Sequence, residues 1–260
     1  MDSSSAVYSG FVSGDDFAAS YSGVFANANV GSGKTVTITS SYAGADVSNY
    51  NITDQTSTTA DINKKVLLLS TFSASNKAYD GNNTPTITSA VSGFVGSETV
   101  SHSITATFDN KNVGSNKVVT ANSITLADGT NGGLAANYSI SAGQTTTANI
   151  TAKSLTVSGI TASNRTYDGS TNVTLTGTAV YSGLVDGDTF NGTYTGVFSD
   201  KNVGTGKTVN ITSSYSGADV SNYSVTDQSS TTANITAKSL TVSGITASDK
   251  IYDGSTSSTL

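Results

Sequence analysis

Two stretches of this chain place a lysine behind paired glycines, Gly31-Ser-Gly-Lys34-Thr and Gly204-Thr-Gly-Lys207-Thr. Glycines so placed can free backbone amides to cradle phosphate while the lysine reaches the terminal phosphates. The full pattern needs another Gly five positions before the second one, and Ala28 and Lys201 stand there. A middle counterpart, Gly114-Ser-Asn-Lys117, loses the second Gly as well, and each lysine leads into a strand pattern rather than a helix. Nucleotide binding is therefore not expected. Ser13-Gly-Asp15-Asp16 and Asp186-Gly-Asp188 gather carboxylates and carbonyls in tight turns, the hard-oxygen chemistry that calcium uses. The middle counterpart, Gly93-Phe-Val-Gly-Ser-Glu98, offers a single acid, and no copy has the spacing of an EF-hand loop. Turn formation is the preferred reading of these acids; calcium is the one cofactor with any support, and otherwise none is expected.

Other candidates are sparse. His102 is the single histidine, and period two puts it on the same strand face as Val100 and Ile104, so it reads as a partly covered strand residue. With no cysteine nucleophile and no acid pair recurring in every copy, the chain is not expected to be an enzyme. Lys77, Arg165 and Lys250 each precede a Tyr-Asp-Gly tripeptide by two places. They invite an intramolecular isopeptide bond, but Arg165 cannot form one, and Glu98 is the sole glutamate to assist. No catalytic, cofactor-binding or metal residue is assigned.

The spacing of these features reveals what must position them. Tyr-Asp-Gly begins at Tyr79, Tyr167 and Tyr252, 88 and 85 residues apart, and Asn-Tyr recurs at Asn49, Asn137 and Asn222 with the same two spacings. Asn-Val-Gly recurs at Asn29, Asn112 and Asn202, 83 and 90 apart. Such periods mark a tandem array. If a module opens at Lys-Ser-Leu-Thr-Val-Ser-Gly-Ile (Lys153, Lys238) and closes at Ala-Asn-Ile-Thr, complete repeats cover 65–151 and 152–236. Residues 1–64 are then the later part of a first repeat and 237–260 the opening of a further one. The first and third repeats are near-duplicates; the second is divergent, with an insertion at Asp128-Gly-Thr-Asn-Gly-Gly133. Met1-Asp-Ser-Ser carries no apolar leader, and the chain reads as a segment of something longer.

Composition points to β-structure. There is no Cys, no Trp, one Pro and one Met, and only 12% of residues are charged. Runs such as Lys34-Thr-Val-Thr-Ile-Thr-Ser and Ser154-Leu-Thr-Val-Ser-Gly-Ile alternate apolar and small polar residues, as a half-buried strand does. Within the third repeat the pattern predicts strands at 153–160, 171–177, 191–199, 207–213, 222–227 and 231–236, separated by Asp-Gly and Asn-Val-Gly turns. The expected fold class is all-β, with small antiparallel, immunoglobulin-like β-sandwich modules set end to end as an elongated rod. A β-solenoid would impose a period of about 20–30 residues, which is not seen. The net charge of −6 and scattered cations argue against nucleic acid, and no apolar run is long enough for a membrane span.

The ordered segments Lys153-Ser-Leu-Thr-Val-Ser-Gly-Ile-Thr-Ala-Ser-Asn-Arg-Thr-Tyr-Asp-Gly, Lys201-Asn-Val-Gly-Thr-Gly-Lys-Thr-Val and Asn222-Tyr-Ser-Val resemble the YDG repeat of large bacterial surface and secreted proteins of the filamentous-haemagglutinin type. That resemblance implies an extracellular location and a role as spacer or fibre, without ligand or active site. The leading expectation is a stalk segment of an adhesin whose partners are its neighbouring repeats. A second expectation is self-association, in which 237–260 of one chain completes 1–64 of another by strand exchange. A third is a carbohydrate- or receptor-binding module using the twelve Tyr, although most of those, including Tyr50, Tyr138 and Tyr223, sit at fixed repeat positions and read as core.

Overall fold

The structure, a computed structural model, describes residues 6–260; the opening Met1-Asp-Ser-Ser noted above lies outside them. In chain order the strands are β1 (Ala18–Phe25), β2 (Gly31–Ala43), β3 (Ser57–Ile62), β4 (Lys65–Val66), β5 (Leu68–Ala74), β6 (Lys77–Ala78) and β7 (Ile87–Ser92). There follow β8 (Val100–Phe108), β9 (Gly114–Asp128), β10 (Tyr138–Ser139), β11 (Thr145–Thr151), β12 (Lys153–Ser158), β13 (Thr161–Ala162) and β14 (Arg165–Thr166). The last are β15 (Leu175–Thr176), β16 (Val180–Ser182), β17 (Asn191–Phe198), β18 (Gly204–Ser216), β19 (Tyr223–Thr226) and β20 (Ser230–Thr236). Among the described residues there is no α-helix, only short 3-10 turns such as Val220–Asn222. The chain is all-β, in several small, mainly antiparallel sheets.

Two compact units divide the chain. One holds residues 6–75, Asn83–Asn110 and Asn116–Ala148; the other holds Asn76–Asn82, Lys111–Ser115 and Asn149–Leu260. The second unit thus takes two short pieces of the second repeat, one carrying Tyr79-Asp-Gly and the other Asn112-Val-Gly.

In that second unit β17 and β18 form a long hairpin, with Asn191 opposite Ser216 and Phe198 opposite Val209. Strand β20 joins the other edge of β18, and β14 runs parallel beyond it. A separate three-stranded sheet has β12 at its centre, antiparallel to β16 and parallel to β19. The core lies between the two sheets: Val157 and Ile160, just beyond β12, meet Ile211 of β18, with Tyr181, Tyr194, Tyr215 and Val225 around them. Phe198, Val209, Ala233 and Ile235 form a companion cluster. Period-two alternation produces this burial: Val209 and Ile211 point inward while Thr208, Asn210 and Thr212 face water. In the first unit Leu67, Val100 and Tyr138 make the equivalent centre, with Val91, Phe94, Leu126 and Ile140 packed on it.

The strands expected at 153–160, 191–199, 207–213, 222–227 and 231–236 all appear, within a residue or three at their ends. That expected at 171–177 shrinks to β15, with Asn172 making an isolated bridge to Val197. The Gly-x-Gly-Lys segments prove to be β-bulges. Pairing of β2 with β3 shifts register between Gly31 and Lys34, and pairing of β18 with β20 shifts between Gly204 and Lys207. Gly33 (φ 59°) and Gly206 (φ 60°) sit at the left-handed residue of the bulge, and Asn116 (φ 50°) takes that position in the second repeat. The following lysine turns back along its own hairpin, Lys117 to Asp109 at 2.8 Å and Lys207 to Asp200. Three elementary features of a bulged hairpin therefore produce the likeness to a phosphate loop.

The first repeat is built differently at one place. It has the β1–β2–β3 sheet, equivalent to β17–β18–β20, but residues 7–9 and 50–53, which align with β16 and β19, form no strand. Val36 is its one buried apolar residue among those described.

Candidate functional site

The turn Asp186-Gly-Asp188 gathers the most side-chain chemistry in the chain. Asp188 lies between β16 and β17 with its side chain only 2% exposed. The Tyr223 hydroxyl, at the start of β19, donates to Asp188 Oδ2 at 2.5 Å and accepts from the Val185 amide at 3.0 Å. The Tyr79 hydroxyl donates to the same carboxylate, 3.0 and 2.8 Å from its two oxygens. Lys111 Nζ sits 3.0 Å from Asp188 Oδ1 and 3.1 Å from Asp219 Oδ1, and 5.8 Å from the Tyr79 ring centroid. Burial of a carboxylate is costly unless it is paired and hydrogen-bonded, and here both conditions are met.

Each partner is delivered by local structure. Strand β6 runs parallel to the end of β11, with Lys77 opposite Ile150, and the Tyr79 amide donates to Thr151 O at 2.8 Å. That anchor carries Tyr79 into contact with Tyr223, ring centroids 5.6 Å apart and edge to face, and leaves Tyr79 1% exposed. Gly81 (φ 82°) completes the approach: a Cβ there would lie 2.7 Å from Val185 Cγ1. Asp80 stays out of the cluster, accepting from the Asn82 amide at 3.1 Å and pairing with Lys77 at 2.7 Å. Asp168 does the same with Ser170 and Arg165, and Asp253 with Ser255 and Lys250. Lys77, Arg165 and Lys250 are thus counterions of the turn Asp, which explains why charge recurs there but residue type does not.

On the acceptor side, Gly217 (φ 135°) brings the chain hard against Thr189, where a Cβ would stand 2.2 Å from its carbonyl oxygen. This close approach lets the Asp219 carboxylate accept from the Thr189 amide at 2.9 Å while its other oxygen faces Lys111. Asn222, 1% exposed, accepts from the Val113 amide at 2.9 Å and donates to Asn112 Oδ1 at 3.2 Å. The Asn-Tyr marker of one repeat therefore clasps the Asn-Val-Gly loop of the repeat before it. The first unit repeats this: Asn137 accepts from the Val30 amide at 2.9 Å and donates to Asn29 Oδ1 at 3.1 Å. There Ala28 stands where Lys111 stands, and Glu98 replaces Asp188, holding the Tyr138 hydroxyl at 2.5 Å.

Charge is tuned accordingly. Burial works to raise the Asp188 carboxyl, but hydrogen bonds from Tyr223, Lys111 and Tyr79 prevail and hold it below the usual carboxylate value. Asp188, Tyr79 and Asp219 hold the Lys111 ammonium well above its ordinary range. Burial, then the Asp188 carboxylate, pushes the Tyr223 phenol up to about 12 and raises that of Tyr79.

The structure brings together Tyr79, Asp188 and Tyr223 of the residues weighed in the sequence. The Tyr79 hydroxyl finds a carboxylate of the following repeat, because β6 carries it beyond its own repeat's core. Asp15 holds the Tyr50 hydroxyl at 2.6 Å, as Asp188 holds Tyr223. Of the calcium candidates, Asp15 and Asp188 are thus engaged by phenols and Asp188 also by a lysine, while Asp16 accepts from the Ala45 amide at 2.9 Å; among the described residues no three His, Cys, Asp or Glu gather to hold a metal. His102 lies half-buried on β8, its Nε2 3.0 Å from Ser89 Oγ. Lys111, Asp219 and Asn222 were missed as participants; the signal was present, since Asn112 and Asn222 belong to the recurring markers.

Comparison with family models matches the YDG domain at residues 1–59, 63–148 and 151–233. The chain belongs to the YDG-domain family. Neither the curated proteins nor the solved structures return a match. The three matched segments follow the three repeats, and the family's Tyr-Asp-Gly is the tripeptide that reaches the next repeat at Tyr79.

Proposed function

We propose that this chain is a non-enzymatic structural segment of an extracellular bacterial adhesin or surface fibre, a stalk whose YDG domains stack end to end as a stiff rod. The observation that carries the reading is the joint. Tyr79, Lys111 and Asn112-Val113 of one repeat are held by Asp188, Asp219, Asn222 and Tyr223 of the next, so the family's markers are spent on linking repeats. A buried, charge-assisted joint resists bending where a Gly/Ser linker would not. Strands of about eight residues rising about 3.3 Å each would lengthen the rod by roughly 30 Å per repeat. No ligand, metal or nucleic acid is required for that role.

Small-angle X-ray scattering from the monomeric chain, with protease shaving of intact cells, tests the reading. A rod three repeats long and cleavage from the outer surface are expected. A compact particle refutes the rod, and protection from external protease refutes the surface location.

A further inference from the structure

Two of the three repeats cap one turn with a carboxylate, and the second caps it differently. In the third repeat the Thr189 amide donates to Asp219 Oδ2 at 2.9 Å, and in the first the Asp16 amide donates to Asp46 Oδ2 at the same distance. Asp188 and Asp15, one residue earlier, each hold the tyrosine hydroxyl of their repeat, so both turns gather two carboxylates. In the second repeat Glu98 holds the hydroxyl, but the inserted residues 128–133 take over the other task. There the Thr99 amide, at the place of Thr189, donates to the Thr130 carbonyl at 3.2 Å, and the two threonine hydroxyls lie 2.7 Å apart. Asp128 itself accepts from the Ala135 amide at 2.8 Å, within the same loop. The insertion thus replaces a capping carboxylate by a neutral carbonyl.

The residue before Asn-Val-Gly changes with the cap. Lys111 Nζ reaches Asp188 at 3.0 Å and Asp219 at 3.1 Å, whereas Ala28 precedes the Asn29-Val30 pair that Asn137 of the second repeat holds. A lysine therefore meets the repeat with two carboxylates, and an alanine meets the repeat with one. The asparagine clasp is common to both joints; the charge is what differs. One unit of negative charge remains at each, because Lys111 offsets one of its two carboxylates and Ala28 leaves Glu98 as it is. Without Lys111, two carboxylates whose side chains are 2% and 12% exposed would face each other with no cation between them. Like charges so placed and withdrawn from water disfavour ionisation, and with it the contact that buries them.

We propose that the paired carboxylates of Asp188 and Asp219 select the repeat docked against them, admitting one with a cation before its Asn-Val-Gly and rejecting one with a neutral residue there. This rests on the stalk reading, in which the same surfaces link consecutive repeats. Tyr79 and Asn222 make the joint, and Lys111 decides which repeats can be neighbours. The lone acid of the second repeat, with its neutral cap, carries no such demand, so the insertion and Ala28 are two halves of one change. A donor of the Lys111 kind suits either acceptor. A donor of the Ala28 kind suits only the lone acid, which sets the first repeat ahead of the second rather than the third. Selection of this sort works by repulsion of the wrong partner as well as attraction of the right one. An array needs it where modules are near-duplicates, as the first and third repeats are, because similar neighbours are prone to misassembly.

Lys111→Met removes the charge and keeps a stem of similar length beside the Tyr79 ring. Hydrogen exchange of the full chain at the Val113 amide, held by Asn222, reads the joint, with the Val30 amide, held by Asn137, as the unchanged control. Lys111→Met should speed exchange at Val113 roughly tenfold or more in low salt. The effect should shrink clearly in about 1 M salt, where charges are screened over about 3 Å; lost packing would not respond to salt in this way. Asp219→Asn keeps an oxygen for the Thr189 amide and removes one charge. In the parent it should speed exchange at Val113, because Lys111 loses a partner, whereas in the Lys111→Met chain it should slow exchange about threefold or more. That reversal of sign distinguishes selection by charge from a sum of separate losses. Ala28→Lys should leave exchange at Val30 unchanged or slower, since Glu98 accepts a cation. The proposal is overturned by a Lys111→Met chain that exchanges like the parent, by an effect indifferent to salt, by Asp219→Asn speeding exchange in both backgrounds, or by faster exchange at Val30 in Ala28→Lys. Each of those results leaves the tyrosine and asparagine contacts of the joint in place, and the stalk reading with them. That reading fails instead on a compact particle in scattering, which exchange at Val113 does not decide.

Discussion

Removing one oxygen atom from Tyr79 tests the joint at its centre. Tyr79→Phe keeps the ring, its burial and its edge-to-face contact with Tyr223, and deletes the hydroxyl that donates to Asp188 from 3.0 and 2.8 Å. Water cannot take its place, because the Asp188 side chain is 2% exposed. A hydrogen bond to a charged group contributes about 1.5–3 kcal/mol net. Asp188 keeps its bonds from Tyr223 and Lys111, which favours the lower half of that range, about 2 kcal/mol. Two units invite separate unfolding steps, so a single melting curve is the wrong instrument. Hydrogen exchange of the intact chain resolves the joint locally: the Val113 amide, held by Asn222, should exchange roughly thirtyfold faster, the factor that about 2 kcal/mol implies. Tyr167→Phe is the internal control, since the Tyr167 hydroxyl has no hydrogen-bond partner among the described residues. Equal effects of the two substitutions, or less than a threefold change for Tyr79→Phe, would refute the assignment of Tyr79 to the joint.

Asn222→Ala leaves the part-buried Val113 amide without its acceptor and should destabilise the same region by about 1–3 kcal/mol, read by exchange at Val113 and Thr189. Leu155→Ala empties a fully buried position on β12 and should cost about 2–5 kcal/mol in urea unfolding, with loss of protection spread through the third repeat rather than confined to the joint. The joint should also loosen in alkali. Tyr223 titrates near 12 in the folded chain against a reference of 10.0, and Tyr79 and Lys111 are shifted upward too. Their contribution is complete below about pH 10 and is lost as pH rises toward about 12, which phenolate absorbance together with exchange will show. Asp188 works in the opposite sense: its folded value is depressed, so its contribution is present above the ordinary carboxylate range and fades as pH falls below about 4.

The strands that alternate over six residues or more, such as β17 and β18, were legible because their period is a property of the local sequence. The short parallel pairs were not. Strand β14 pairs with β20 across some seventy residues, and two residues of pairing leave no period to read. The same distance hid the site. Tyr79 and Asp188 are 109 residues apart, and each looks locally complete: Tyr-Asp-Gly reads as a turn and Gly-Asp as another. Repetition showed that Tyr-Asp-Gly, Asn-Val-Gly and Asn-Tyr mattered. It did not show that they matter to one another, because each occurs once per repeat and the copies shift together. The Gly-x-Gly-Lys segment resembles a phosphate loop for a related reason, since a bulge also uses a left-handed glycine; the missing first Gly already argued against a phosphate loop, and pairing register shows the bulge.

A comparison between two glycines carries this reasoning to its sharpest form. Gly81 and Gly169 close the same tripeptide in consecutive repeats with nearly the same backbone, φ 82° and 85°. An Ala at either must adopt the left-handed conformation, a cost of about 1–2 kcal/mol. At Gly169 nothing lies within 4 Å of the added Cβ, so that cost is the whole effect. At Gly81 the Cβ would stand 2.7 Å from Val185 Cγ1, and Val185 also carries the amide that holds the Tyr223 hydroxyl. Relief requires either Val185 or the Tyr-Asp-Gly turn to move, and both movements strain the bonds to Asp188. Gly81→Ala should therefore destabilise the joint by clearly more than Gly169→Ala destabilises its own repeat, with exchange rising at Val185 and Val113 in the first variant alone. Equal costs would mean that the tripeptide is conformational in both repeats, and that the contact of Gly81 with Val185 contributes nothing to linking them.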